Sequence, residues 1–154
     1  TMHFPEMEKL HGDLEVMEIC QVPQAVIYPK EFGTKKDIAD FQDSVFYLSA
    51  DAPVEYSRAN LEQICEQKEF IPKTKVVPNH ATLLSLMDRE DSAAIMDLWC
   101  QPIYDKKFKY VRLQASVPIV GAFRKNCAHA KIIRMLYERL AERYGEEVMI
   151  IIRK

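Results

Sequence analysis

Short apolar runs of strand length alternate along this chain with stretches of helical spacing, and turn-forming residues separate them. LEVMEICQV (14–22) and QAVIYP (24–29) read as extended, interrupted by Pro23. Proline cannot donate to a sheet ladder, so Pro23 marks an edge, a bulge or a corner. Ile38, Phe41 and Val45 follow helical spacing while SVFYLS (44–49) reads as a buried strand, which predicts helix 35–42 followed by strand 44–49. After Ser57, a plausible cap, Leu61, Ile64, Cys65 and Lys68 share one helix face. TKVV (74–77) is a short strand, and Asn79 caps the helical stretch after it. Leu83, Met87, Ala94 and Leu98 fit one helical stripe, so 80–100 reads as one helix or as two split at Asp91.

The last third reads as strand 107–117, a turn at PIVG, a helix over 122–144 stopped by Gly145, and a doubly buried strand EVMIIIR (147–153). Strands alternating with helices through short links predict an α/β or α+β fold. The expectation is a single globular domain over 2–154, with helices packed on a mixed sheet and a closing strand–helix–strand unit. A chain of 154 residues can bury roughly 70% of its unfolded surface, enough for one such core.

Several function classes are disfavoured. With only four glycines, at 12, 33, 121 and 145, no pair has the spacing of a Walker loop or a dinucleotide fingerprint. The longest apolar runs, Val148–Ile152 and Val117–Phe123, fall far short of the roughly 20 residues that cross a bilayer. Cys20, Cys65, Cys100 and Cys127 lie in apolar segments with no C-x-x-C pair, the pattern of reduced thiols in a cytoplasmic protein. Neither metal nor cofactor is expected. A zinc site from Cys100, Cys127, His80 and His129 lacks any chelating spacing. Cys127 and His129, two residues apart on a helix, would diverge by about 160° and form no catalytic pair.

Charge supplies the positive lead. Residues 1–104 carry 9 Lys/Arg against 18 Asp/Glu, whereas residues 105–154 carry 12 against 5. From Lys106 to Tyr137 there are eight basic residues and no acid. Gly121 followed by Arg124 and Lys125 would put two cations in a helix's first turn, against the dipole, unless an anion binds there. Gly121, Arg124 and Lys125, extended by Lys131 and Arg134, are therefore the candidate anion site. Lys106, Lys107, Phe108, Lys109, Tyr110 and Arg112 mix cations with aromatics and are candidate partner contacts; the competing account of the aromatics is core packing under a helix. The competing account of Arg124 and Lys125 is solvation or pairing with the acidic half.

These features predict a non-enzymatic binding module that engages an anionic partner, whether nucleic acid, a phosphorylated ligand or an acidic protein surface. A small cytoplasmic enzyme holding a phosphorylated substrate at 121–125 is the first alternative. A structural or homo-oligomeric subunit is the second.

Overall fold

The structure is a computed structural model that describes residues 12–100 and 106–153, with side chains over 12–99 and 106–144. A five-stranded sheet has the order β3-β2-β4-β1-β5, from β1 (Leu14–Pro29), β2 (Val45–Ser49), β3 (Lys73–Val77), β4 (Ser92–Asp97) and β5 (Phe108–Arg124). The helices are α1 (Val54–Glu66), α2 (His80–Met87) and α3 (Ala130–Arg153), with 3-10 turns at Ile38–Phe41 and Leu98–Cys100. β2 runs parallel to both β3 and β4, and β1 runs antiparallel to β4, so the sheet is mixed and the fold is α/β.

Two compact units divide the chain, Pro23–Ala115 in the first and Met2–Val22 with Ser116–Lys154 in the second. In the first, the apolar runs alternate sides as a pleated strand requires. Val26, Tyr28, Phe46, Leu48, Ala93 and Val111 meet Leu61, Ile64 and Cys65 of α1, with Ile38 and Phe41 beside them. Ile27, Tyr47, Val77, Ala94 and Phe108 form the opposite face with Leu83 and Met87 of α2. This explains why Val45–Leu48 is an unbroken apolar run: Phe46 and Leu48 serve one core and Tyr47 the other. Burial drives the Cys65 thiol up to about 12, so it is an inert packing group.

The second unit has fewer elements. Cys20 and Val22 form its buried centre, with Ile19, Val117, Ile119 and Tyr144 packed against them. Along α3, Ile132, Met135 and Leu136 are 66%, 56% and 54% exposed.

Six expectations are corrected. Residues 92–97 are strand β4, not helix; Ala94 and Leu98 do lie four apart, but SAAIMD is short and buried enough to show no alternation. β1 is one strand through Pro23, and its pairing with β4 begins at the next residue, Gln24. Pro118 and Gly121 do not turn the chain, because β5 runs on to Arg124. As an edge strand it bears a proline without losing a ladder bond to a second neighbour. The closing helix begins at Ala130 and takes in Gly145 and residues 147–153, so no strand–helix–strand unit ends the chain. An apolar run of five, Val148–Ile152, fits a helix as readily as a strand, and here it continues the helix before it. The helical expectation at 35–42 shortens to the Ile38–Phe41 turn, boxed by Asp37 and Asp40. α1 opens at Val54, not at Ser57, whose hydroxyl donates back to the Pro53 carbonyl at 3.2 Å.

Candidate functional site

In an α/β sheet the carboxyl ends of parallel strands are where ligands settle, because successive connections splay apart there. In the first unit those ends are Ser49, Val77 and Asp97. Two of the connections are built from short-range bonds. The Asp51 carboxylate accepts from the His80 amide at 2.7 Å and from the Ser49 hydroxyl at 3.2 Å. Asn79 Oδ1 accepts from the Thr82 amide at 2.9 Å, the cap its position predicted. α2 therefore starts with its leading donors partly satisfied. α1 starts differently, with Pro53 at the cap and no side chain bonding the first turn.

Beside these loops lies a polar cluster whose members sequence reasoning passed over. Gln24, on β1, is directly opposite Asp97, the last residue of β4. The Asn60 amide on α1 donates to Gln24 Oε1 at 3.2 Å, and the buried Gln24 amide in turn bonds the Asp97 carboxylate. Burial raises the Asp97 carboxyl above its ordinary 3.8, and the Gln24 bond opposes that rise. A lone polar residue in the apolar run VPQAVIYP was the one available signal; Asp97 had none, since its strand was read as helix.

The residues singled out by charge have other duties. Arg124 ends β5 and Lys125 follows it, ahead of α3, so neither occupies a helix's first turn. Lys125 donates through its amide to the Asp13 carbonyl at 2.8 Å and through Nζ to the Gly12 carbonyl at 3.1 Å. Arg124 Nε stands 4.0 Å from the Asp13 carboxylate. Arg134 grips Glu15 with both nitrogens, Nε to Oε1 at 2.8 Å and Nη2 to Oε2 at 2.7 Å. Lys131 is exposed in the first turn of α3. Gly121 is buried beneath the Tyr137 ring, which leaves no room for a side chain.

Among the proposed partner contacts, Phe108 is core and Tyr110 is 38% exposed. Lys109 donates to the Gly33 carbonyl at 2.8 Å, and Lys107 pairs with Asp88 at 2.5 Å. Lys106 and Arg112 are exposed. His80 opens α2 in the first unit, whereas Cys127 precedes α3 in the second. The Cys100 side chain lies outside the described residues, and no metal-ligating cluster occurs among those described. Among the described residues no helix is long and apolar enough to cross a membrane.

The Arg134–Glu15 pair carries a testable pH dependence. The hydrogen bond from Arg134 holds the Glu15 carboxyl below its ordinary 4.5; burial opposes this, and the Arg134 and Lys125 charges assist. A carboxyl lowered on folding stabilises above its unfolded value, and that stabilisation disappears as pH falls through the folded one. Wild type should therefore exceed Arg134→Gln in stability at pH 7, with the gap closing as pH drops below 4.5. Urea unfolding at stepped pH reads this. An undiminished gap at pH 3 would show that the pair acts by packing alone.

No protein-family model matches the sequence, and no curated protein matches it. Solved structures do. CbnR, a LysR family transcriptional regulator, superposes with TM-score 0.65 at 18% identity, covering 86% of this chain and 48% of that chain. The fold is one found in LysR family regulators. Full-length CbnR complexed with its target DNA matches with TM-score 0.66 at 19% identity, over 85% of this chain and 50% of that one. The effector binding domain of QuiR, in complex with shikimate, matches with TM-score 0.60 at 17% identity, over 88% of this chain and 67% of that one. The chain thus spans about half the length of the CbnR structures.

Proposed function

We propose that this chain is a non-enzymatic, effector-binding module of a transcriptional regulator, with residues 2–154 acting as one domain. It takes a small molecule at the carboxyl edge of the first unit's sheet. The observation that carries the reading is a likeness of fold spanning 86–88% of the chain, to a regulator and to an effector-binding domain. The Asn60–Gln24–Asp97 cluster supports it, since it places hydrogen-bonding groups at the edge where such a fold receives ligands. No assembled acid–base or nucleophilic pair stands among the described side chains there, which favours binding over catalysis. The same reading assigns the module to the cytoplasm, where its free thiols stay reduced.

Ligand-dependent stabilisation tests the proposal. Screened against small charged and neutral metabolites, the protein should gain about 2.7 kcal/mol of stability at a hundredfold excess over Kd, with the ligand recovered unchanged. A screen in which nothing raises the melting temperature would overturn it, and chemical turnover of the ligand would replace it with an enzyme.

The exposed Lys106, Arg112 and Lys131 support a second proposal, contact with an anionic partner, either nucleic acid or a phosphorylated ligand. Titration with duplex DNA at several salt concentrations decides it, because phosphate contacts impose a steep salt slope. The exposed Ile132, Met135 and Leu136 support contact with another protein or with a second copy.

A further inference from the structure

α3 carries apolar side chains on two sides. Ile133, Tyr137, Leu140 and Tyr144 are half-buried within the second unit. The Tyr137 ring covers Gly121 and packs on Phe123, and Tyr144 packs against Cys20 and Val22. At about 100° per residue, Ile132, Met135 and Leu136 stand roughly 140° round the helix from that side. All three are exposed. Spaced i, i+3 and i+4, they make one contiguous patch, the kind of surface that marks a protein contact.

The charges beside the patch point to what covers it. Lys131 and Glu138 flank it on the Met135 side, two helical turns apart. Both are exposed, and neither forms an ion pair among the described residues. About 10 Å of helix separates them, too far for one to pair with the other. Arg134, the cation one turn before Glu138, is held by Glu15 through both nitrogens. The midpoint of Lys131 and Glu138 falls between positions 134 and 135, at the centre of the Ile132–Leu136 patch. A two-fold axis through that point lays the patch upon itself. The same operation sets each Lys131 against the second copy's Glu138.

Resting on the reading of this face as a protein contact, we propose that its partner is a second copy of this chain, with the two α3 helices packed antiparallel. A two-fold interface must be self-complementary, and this face supplies both an apolar centre and a matched pair of charges. A parallel pair would place the two charged flanks on opposite sides of the seam and leave them unmatched. Arg139 is also exposed on this face. The two-fold axis sets it opposite the second copy's Ala130, a small residue that leaves room for the apolar stem. Three side chains are a small patch against the roughly 800 Å² that each partner buries in a standard interface, so the association should be micromolar.

Sedimentation equilibrium of the unaltered chain between about 1 and about 500 µM should show a reversible passage from monomer to dimer. Leu136→Asp should raise the dissociation constant at least tenfold. Lys131→Glu or Glu138→Lys alone sets like charges together twice in each dimer, and should raise it about three- to tenfold. The double reversal Lys131→Glu with Glu138→Lys should restore it to within twofold. Because the two residues do not touch within one copy, that rescue can arise only between copies. All three positions are exposed, and circular dichroism confirms that each variant is folded. If Leu136→Asp is not, the charge series stands as the test. A monomer throughout this range would overturn the second copy as partner and leave the face to a different protein. A dimer indifferent to Leu136→Asp would remove the face from the interface. Failure of the double reversal to restore association would overturn the antiparallel packing.

Discussion

Gly121→Ala is expected to destabilise the protein by about 1–3 kcal/mol, a drop of about 2–12 °C in melting temperature. A Cβ at this position would stand 2.5 Å from Cζ and 2.6 Å from Cδ2 of Tyr137, well inside van der Waals contact. The ring must then swing away, and its movement abandons the tilted packing against Phe123, where the ring centroids are 5.9 Å apart. It also gives up the long bond from the Tyr137 hydroxyl to the Ala122 carbonyl, at 3.5 Å. Because the obstacle is the far end of one side chain, removing it should restore the space. Tyr137→Leu in the Gly121→Ala background should therefore cost less than the two single changes together, with a coupling of about 0.5–3 kcal/mol. Chemical denaturation of the four proteins closes the cycle. Strict additivity would mean that the glycine is required for another reason, and binding of phosphate or sulfate lost with Gly121→Ala would return the position to function.

Lys35→Met should cost about 1–3 kcal/mol, far more than the loss of an exposed lysine. Only 11% of the Lys35 side chain is exposed. Its ammonium donates to the Ser44 hydroxyl at 2.9 Å, the Asp40 carbonyl at 3.1 Å and the Asp91 carboxylate at 3.3 Å. It also lies 4.7 Å from the centre of the Phe41 ring. Methionine keeps the apolar stem over that ring but withdraws every donor, leaving Asp91 without its cation. The fully buried Ser44 retains only its own donation to Asp91, at 3.0 Å. Lys35→Arg is not expected to rescue, since a planar fork cannot reproduce one compact centre serving three acceptors. By contrast Lys73→Met should be nearly silent, because the Lys73–Asp43 pair stands 61% and 87% exposed. Equal effects of the two substitutions in urea unfolding would show that the Lys35 cluster is incidental.

Much of the fold was legible where a local rule had no competitor. Asn79 capped its helix because its side chain reaches the Thr82 amide without help from the rest of the chain. The VFYLS run was legible as a strand because the continuous apolar run Val45–Leu48 suits a strand covered on both faces. Reading failed where two elements offered the same pattern. SAAIMD carries too few large side chains to reveal a period, and EVMIIIR is apolar enough for either structure. The helix turn expected at the candidate anion site is misplaced for a related reason. Pro118 and Gly121 have the composition of a turn, and the cations after them the position of a helix's first turn. The glycine is instead the space that Tyr137 fills, sixteen positions along a chain whose folding brings them together.

By itself the sequence determined the alternation of strands and helices, the cap at Asn79 and the uneven division of charge, because each depends on near neighbours. Only the tertiary structure decided that residues 92–97 lie between β2 and β1, since a strand's hydrogen bonds come from chain segments far away in sequence. The same dependence governs the candidate site. Gln24 and Asp97 stand 73 positions apart, and the antiparallel register of β1 on β4 sets them face to face. That pairing sets the Gln24 amide against a carboxyl that burial raises above its ordinary value.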